Sequence, residues 1–305
     1  MDRCSYFIPN KALFGSFPTQ ESVDELEEAG VRYFINLTND NEARITPYNT
    51  QYTYIHYPIP DRHVPKNWNS FAKLIIRIAD IIHNLQDNEL IYCNCRGGHG
   101  RSGLLVACLL CYIQKLNPAD SIALTTKYHN DRKEMNPKWR SIGSPQTRSQ
   151  KTFVYKFFEP LYFYRAHRSG QTAGFSNFSN HHVTIPDFGT FPTSESAIQA
   201  YKRPDNTDYV KRQQESRTPI NSRGLGNKII PTEYWYNNRE CLMYHILECK
   251  FDQHEDIKRG LLNTGFRPII QHTRSDTYWG CGQDNNGSNV LGKLLVDLRE
   301  KLYRV

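Results

Sequence analysis

The stretch Tyr92-Cys93-Asn94-Cys95-Arg96-Gly97-Gly98-His99-Gly100-Arg101-Ser102-Gly103 decides how the first half of this 305-residue chain is read. Before it, Glu89-Leu90-Ile91-Tyr92-Cys93 has the pattern of a short buried strand. After it, Leu104 to Ile113 is an apolar run long enough for a buried helix. Between them, a turn holding three glycines aims successive N–H groups at one point, at the positive end of the following helix. Such a turn holds a phosphate-like dianion. Cys95 lies at its floor, in surroundings that favour the thiolate form of a cysteine. Arg101 can grip two oxygens of the bound group with its planar fork. The competing reading of the same residues is a glycine turn with an incidental buried cysteine.

Chemistry on a phosphate ester also needs a proton for the leaving oxygen. In Tyr54-Ile55-His56-Tyr57-Pro58-Ile59-Pro60-Asp61-Arg62-His63-Val64-Pro65, an alternating strand runs into a proline-bounded loop, and Asp61 stands 34 residues before Cys95. An aspartate beside proline is also an ordinary turn residue, and His63 is a rival donor.

These two segments resemble the signature loop and acid loop of cysteine-dependent protein phosphatases, in particular the compact dual-specificity type. The resemblance implies an α/β fold, a central sheet flanked by helices. It implies Cys95 as nucleophile and Asp61 as general acid. Arg96, Gly97, Gly98, His99 and Gly100 become the phosphate-binding loop, Arg101 the group that stabilises the equatorial oxygens, and Ser102 the hydroxyl that helps the thiolate depart. Asn94 stands where the family usually has His. Ile8 to Ser16 resembles the opening strand and turn, and Ser144 to Val154 the closing helix, whose Gln150 either contacts the phosphate or faces solvent. Trp68 to Leu85 carries apolar residues at 71, 74, 75, 78, 81, 82 and 85, a helical stripe that belongs to the core.

Composition bounds the rest. The chain is long enough for two domains. No apolar run approaches the roughly 18 residues of a membrane span, and no cleavable signal opens the sequence, so no membrane partner is expected. Several of the eight cysteines lie inside apolar runs, as reduced buried thiols do, which points to a cytoplasmic or nuclear, reducing compartment. No Cys/His set has zinc spacing, and the reading calls for no metal and no cofactor. A net charge of +7, spread over both halves, suits anionic substrates and is too mild to argue nucleic-acid binding unaided.

The first domain is read as residues 1–164, followed by a linker at 165–173 without large apolar side chains and a second domain at 174–305. From Lys202 to Thr232 the chain reads as polar and loop-rich, with room for one short helix. Phe175, Phe178, Trp235 and Trp279 suit either a core or stacking on a flat base, and Glu195 and Asp276 suit either helix caps or sugar chemistry. Their arrangement resembles the NADAR (YbiA-like) family of mainly helical N-glycosidases acting on ADP-ribose conjugates. The resemblance is carried by Phe175-Ser176-Asn177-Phe178, Pro192-Thr193-Ser194-Glu195 with Gln199-Ala200, Trp235, Lys250-Phe251, Asp276 with Tyr278-Trp279-Gly280, and Leu291-Gly292-Lys293-Leu294-Leu295. It implies Glu195, Trp235, Asp276 and Trp279 as catalytic positions and Asn177 as substrate-binding. Three positions depart from that family: Ser196 replaces a frequent His, Gly226-Asn227 a frequent Gly-Arg, and Cys281 an acid.

The expectation is a two-domain hydrolase. One half would act on phosphorylated protein or a phosphorylated small molecule, the other on ADP-ribosylated or related ribosylated substrates, nucleic acid entering only as a substrate. The alternatives are a nucleotide- or ribose-phosphate-processing enzyme, and a phosphatase fused to a module that binds ADP-ribose without cleaving it.

Overall fold

The computed structural model describes residues 2–164 and 172–305, and the chain divides into two compact units, Met1–Glu159 and Pro160–Val305. The first runs β1 (Cys4–Ile8), β2 (Ala12–Ser16), α1 (Gln20–Glu28), β3 (Val31–Asn36), β4 (Thr53–His56) and α2 (Trp68–Asn84). It continues with β5 (Leu90–Cys95), α3 (Arg101–Gln114), α4 (Pro118–Asn130), α5 (Pro137–Ile142) and α6 (Arg148–Phe158).

Five strands form one sheet in the order β1-β2-β5-β3-β4, all neighbours parallel except the β1–β2 hairpin. Every residue of β5 is buried, which is why Leu90 to Cys93 reads as an apolar run rather than an alternating strand, with Asn94 the one polar residue of the strand. Its carboxyl end delivers Cys95 beside Ser16 of β2, at the sheet edge where open α/β folds place their ligands. Helix α3 is buried from Arg101 through Cys111. The predicted stripe on α2 buries Phe71, Leu74, Ile75, Ile78 and Ile82. There Trp68 and Phe71 interlock with Phe153 and Phe157 of α6 at centroid separations of 5.1–5.6 Å.

The second unit comprises β6 (Leu161–Phe163), β7 (Val183–Ile185), β8 (Gly189–Phe191), α7 (Ser194–Ala200), α8 (Thr207–Gln214) and α9 (Pro219–Gly226). After these come α10 (Glu233–Gln253), α11 (Glu255–Leu262), β9 (Ile269–Gln271) and α12 (Val290–Arg304). It is mainly helical. The 21-residue α10 packs against α7, α11 and α12, around a core that includes Phe175, Phe191, Ile246, Leu247, Phe251 and Leu295.

Two features differ from the sequence reading. The boundary at 164 is too late, because β6 pairs in parallel with β9, Leu161 opposite Ile269 and Phe163 opposite Gln271. A strand whose partner lies more than a hundred residues away leaves no local signal. Residues 165–171 of the expected linker lie outside the described residues. The polar stretch after Lys202 holds two helices, α8 and α9, each opened by a side-chain cap, Asn206 and Thr218. Their inward faces include Gln213 and Ser222, so hydrophobic periodicity is silent there.

Candidate active sites

In the first unit the signature loop is held by its carbonyls. Arg96 O accepts from Phe17 N at 3.2 Å, Gly98 O from Arg132 Nη1 at 2.9 Å, and His99 O from Ser144 Oγ at 2.7 Å. A peptide unit points its N–H and C=O in opposite directions, so carbonyls drawn outward turn the amides to the inner face. Gly98, at φ +73°, packs directly on the backbone of Gly15 and Ser16, where a β-carbon would collide. Cys95 is buried at the end of β5, its Sγ 3.4 Å from Ser102 Oγ. Asn94 donates from Nδ2 to Asn36 Oδ1 at 3.2 Å, and its own Oδ1 has no partner among the described residues.

The loop's outer side is braced by a neutral imidazole pair. His99 Nδ1 lies 2.8 Å from His129 Nε2, and the His99 ring stacks on Trp139 at 4.9 Å. Burial, then the His129 and Arg132 charges, push His99 down to about 3. Burial and the Arg132 charge push His129 down to about 4.

Arg101, 1% exposed, donates from Nη1 and Nη2 to the two oxygens of Glu42, both at 2.6 Å, and from Nη1 to Ile59 O at 3.0 Å. Its Nη2 also reaches Asp61 Oδ1 at 3.1 Å, while its Nε has no partner among the described residues. Asp61 therefore stands beside the arginine that would hold the phosphate. Burial alone would raise the Glu42 carboxyl, but the Arg101 fork, with smaller contributions from the Asn39 amide and Arg96, holds it below the ordinary range. Sequence reasoning missed Glu42, a single acid in an irregular stretch. His63, the rival donor, places its Nδ1 2.7 Å from the Asp61 carbonyl. Gln150 is buried rather than solvent-facing; it closes a capping box with Thr147 and donates to His63 O at 3.2 Å, tying the acid loop to α6.

In the second unit, Asn177, Glu195, Trp235, Asp276 and Trp279 line one cavity of about 330 Å³. Glu195 sits in the first turn of α7, which Thr193 and Ser196 close with a capping box; Ser196 thus has a structural task of its own. The Glu195 amide donates to Asn177 O at 3.0 Å, and Gln199 Nε2 donates to Glu195 Oε1 at 2.9 Å. Gly226 makes that second bond possible, because a β-carbon there would overlap the Gln199 carboxamide. Burial raises the Glu195 carboxyl above its usual value, against the pull of the Gln199 hydrogen bond and the Arg223 and Lys202 charges.

Asp276 Oδ1 accepts from the amides of Tyr278 and Trp279 at 3.1 and 2.9 Å, which fixes the loop that presents both Asp276 and Trp279. The loop bearing Asn177 is anchored by Lys250. This fully buried ammonium donates to Gly174 O, Ser176 O and Ser179 Oγ at 2.6–3.0 Å, and burial among these neutral partners lowers it to about 7. Three cationic residues that sequence reasoning missed also line the cavity: Lys202, Arg223 and Arg274. Arg223 lies one helical turn before Asn227, the position where the resembling family often has Arg. Asn177 Oδ1, Gln199 Oε1 and Trp235 Nε1 are buried without a partner among the described residues, which suits a polar ligand.

A family model described as "NADAR domain" matches residues 162–303, and one described as "Polymorphic toxin system, DSP-PTPase phosphatase" matches residues 10–115. The chain is similar to "Putative tyrosine phosphatase 197R" of Invertebrate iridescent virus 6, 34% identical over 311 residues, covering 98% of this chain and 95% of that protein. It is also similar to "N-glycosidase YbiA" of Shigella flexneri serotype 5b (strain 8401), 36% identical over 129 residues, 42% of this chain and 80% of that protein. Among solved structures, the NMR structure of the E. coli protein YbiA is similar at 33% identity and a TM-score of 0.43, covering 47% of this chain and 84% of that one.

Proposed function

This chain belongs to the family of two-domain proteins that join a phosphatase domain of the DSP-PTPase type to a NADAR domain, and from that premise we propose two separate hydrolytic activities. The first unit hydrolyses a phosphomonoester of a protein or a small molecule. Cys95 attacks phosphorus as the thiolate, and the phosphorus–oxygen bond to the leaving group breaks as that oxygen takes the Asp61 proton. The loop amides and Arg101 stabilise the charge on the equatorial oxygens. Water then attacks the phosphocysteine, giving a proton to Asp61, and Ser102 Oγ donates to the departing sulfur. The observation that carries this reading is the convergence of Cys95, Ser102, Arg101 and Asp61 around one glycine-rich loop. It is tested with the full chain and p-nitrophenyl phosphate. Wild-type protein should release phosphate and Cys95→Ser should not, while Cys95→Ser still binds phosphate.

The second unit cleaves an N-glycosidic bond to an ADP-ribosyl or related phosphoribosyl group. Five residues spread over a hundred positions line one cavity, and that convergence supports the reading. Glu195, whose proton affinity burial raises, supplies the proton to the departing nitrogen base. Asp276 has one oxygen held by two amides and offers the other to the sugar cation or to water. Trp279 and Trp235 give flat faces for the base, and Lys202, Arg223 and Arg274 suit the phosphates. Incubation with ADP-ribosylated protein, DNA and small molecules should release ADP-ribose from at least one. Binding without release would make this unit a reader of ADP-ribose instead.

A further inference from the structure

The side chain of Arg96 does something its backbone does not. Its carbonyl helps fix the signature loop, but its guanidinium leaves the loop and reaches Asp61 Oδ2 at 2.8 Å and Glu42 Oε1 at 3.5 Å. Arg101 touches the same two carboxylates from the other side, so two guanidiniums and two carboxylates alternate in a closed ring. Within it, each oxygen of Asp61 is assigned to a different arginine: Oδ1 to Arg101, Oδ2 to Arg96.

The two arginines differ in what else they can do. Arg101 is buried and locked by Glu42, Ile59 O and Leu37 O, with its Nε unpartnered. Its Nε is the donor left for a phosphoryl group in the loop, and its Nη2 is divided between Glu42 at 2.6 Å and Asp61 at 3.1 Å, so Asp61 is the weaker of the two holds. Arg96 has no such second duty. Its side chain is 41% exposed and that of Asp61 37% exposed, and an ion pair so open to water contributes little to folding. A misplaced proton donor, by contrast, costs a large factor in rate. We propose that Arg96 is a positioning residue for the general acid: its fork keeps the Asp61 carboxyl aimed at the leaving-group oxygen while Arg101 serves the phosphate. This rests on the reading of Asp61 as the proton donor.

The test compares two esters that differ in their need for a proton. Wild type, Arg96→Ala, Arg96→Lys, Asp61→Asn and the Arg96→Ala/Asp61→Asn double variant are assayed on phenyl phosphate and on a fluorinated umbelliferyl phosphate whose leaving group needs little protonation. Arg96→Ala should lose about tenfold in kcat on phenyl phosphate, at least about fivefold more than on the activated ester. Arg96→Lys, which keeps the charge and loses the fork, should fall between. In the double variant the alanine should cost nothing beyond Asp61→Asn. Thermal melting of Arg96→Ala should match wild type, which separates positioning from folding. Equal losses on both esters, or no loss on either, would overturn the proposal while leaving Asp61 as the acid. If Asp61→Asn itself loses equally on both esters, the acid assignment fails and the proposal falls with it.

Discussion

The two candidate sites are built on opposite plans. In the first unit, the proposed nucleophile, anion cradle, arginine and hydroxyl lie within eight consecutive residues, Cys95 to Ser102, while Asp61 and Glu42 come from elsewhere. In the second, Asn177, Glu195 and Trp235 arrive from separate segments and Asp276 and Trp279 from one shared loop, so the five residues span four stretches of chain. A contiguous site has its residue order set by local sequence, although here Phe17, Arg132 and Ser144 hold the loop in shape from outside. A dispersed site is shaped by packing, and small distant changes move it.

The largest effect separates the sites outright. Cys95→Ser should reduce phosphate release to background, since a serine hydroxyl is not ionised at neutral pH, and should leave ribosyl release at the wild-type rate. A parallel fall in both activities would mean that the sites act together.

Glu195→Gln should bring ribosyl release to background with binding largely kept. It carries a second, physical signature. The folded-state carboxyl is raised above its unfolded value, so its stabilising contribution is full below about pH 4.5 and is lost as pH rises through the folded value. The glutamine, which never ionises, should therefore melt higher than wild type at neutral pH, and the difference should vanish in acid. A lower melting temperature at pH 7 would contradict the role given to burial.

Asp61→Asn should slow hydrolysis of phenyl phosphate by roughly 10²–10⁴-fold. The boundary offers a sharper probe of the dispersed plan. A fragment starting at Pro160 keeps β6 on β9, next to the loop that bears Asp276, whereas one starting at residue 171 loses that strand and Phe163 from the core. The shorter fragment should melt lower and bind ADP-ribose more weakly by calorimetry; equal behaviour would show that β6 is dispensable.

The smallest effect concerns the brace behind the signature loop. His99 and His129 are held neutral, at about 3 and about 4, so the stability they contribute is present above pH 6.5 and is lost as pH falls from there toward 3. His129→Gln should flatten the acid limb of the first unit's melting curve. An unchanged slope would place the acid sensitivity elsewhere.

Legibility in the sequence followed the same division. The signature loop was readable because its glycines, thiol and arginine are constrained by local backbone geometry, at fixed spacing. Glu42 was not, because an acid in an irregular stretch gains meaning only when α3 brings Arg101 against it. In the second unit, family resemblance pointed to five dispersed residues that spacing left ambiguous, and the fold brings these five to one cavity. It did not single out Lys202, Arg223 or Arg274, since cations in polar segments look like solvated surface until the α7–α9 pair and the loop after β9 meet at one cavity.

The sequence by itself marked the buried strand, the glycine turn and the buried helix around Cys95, because periodicity, glycine placement and residue spacing are local properties, and its resemblance to two families gave the α/β class of the first unit and the helical class of the second. Tertiary structure alone decided that β6 belongs to the second unit, that Arg96 and Arg101 divide the two oxygens of Asp61, and that Gly226 leaves room for Gln199 to hold Glu195. Each of those depends on which distant segments meet, and burial energy summed over the whole core, not any local pattern, chooses that meeting.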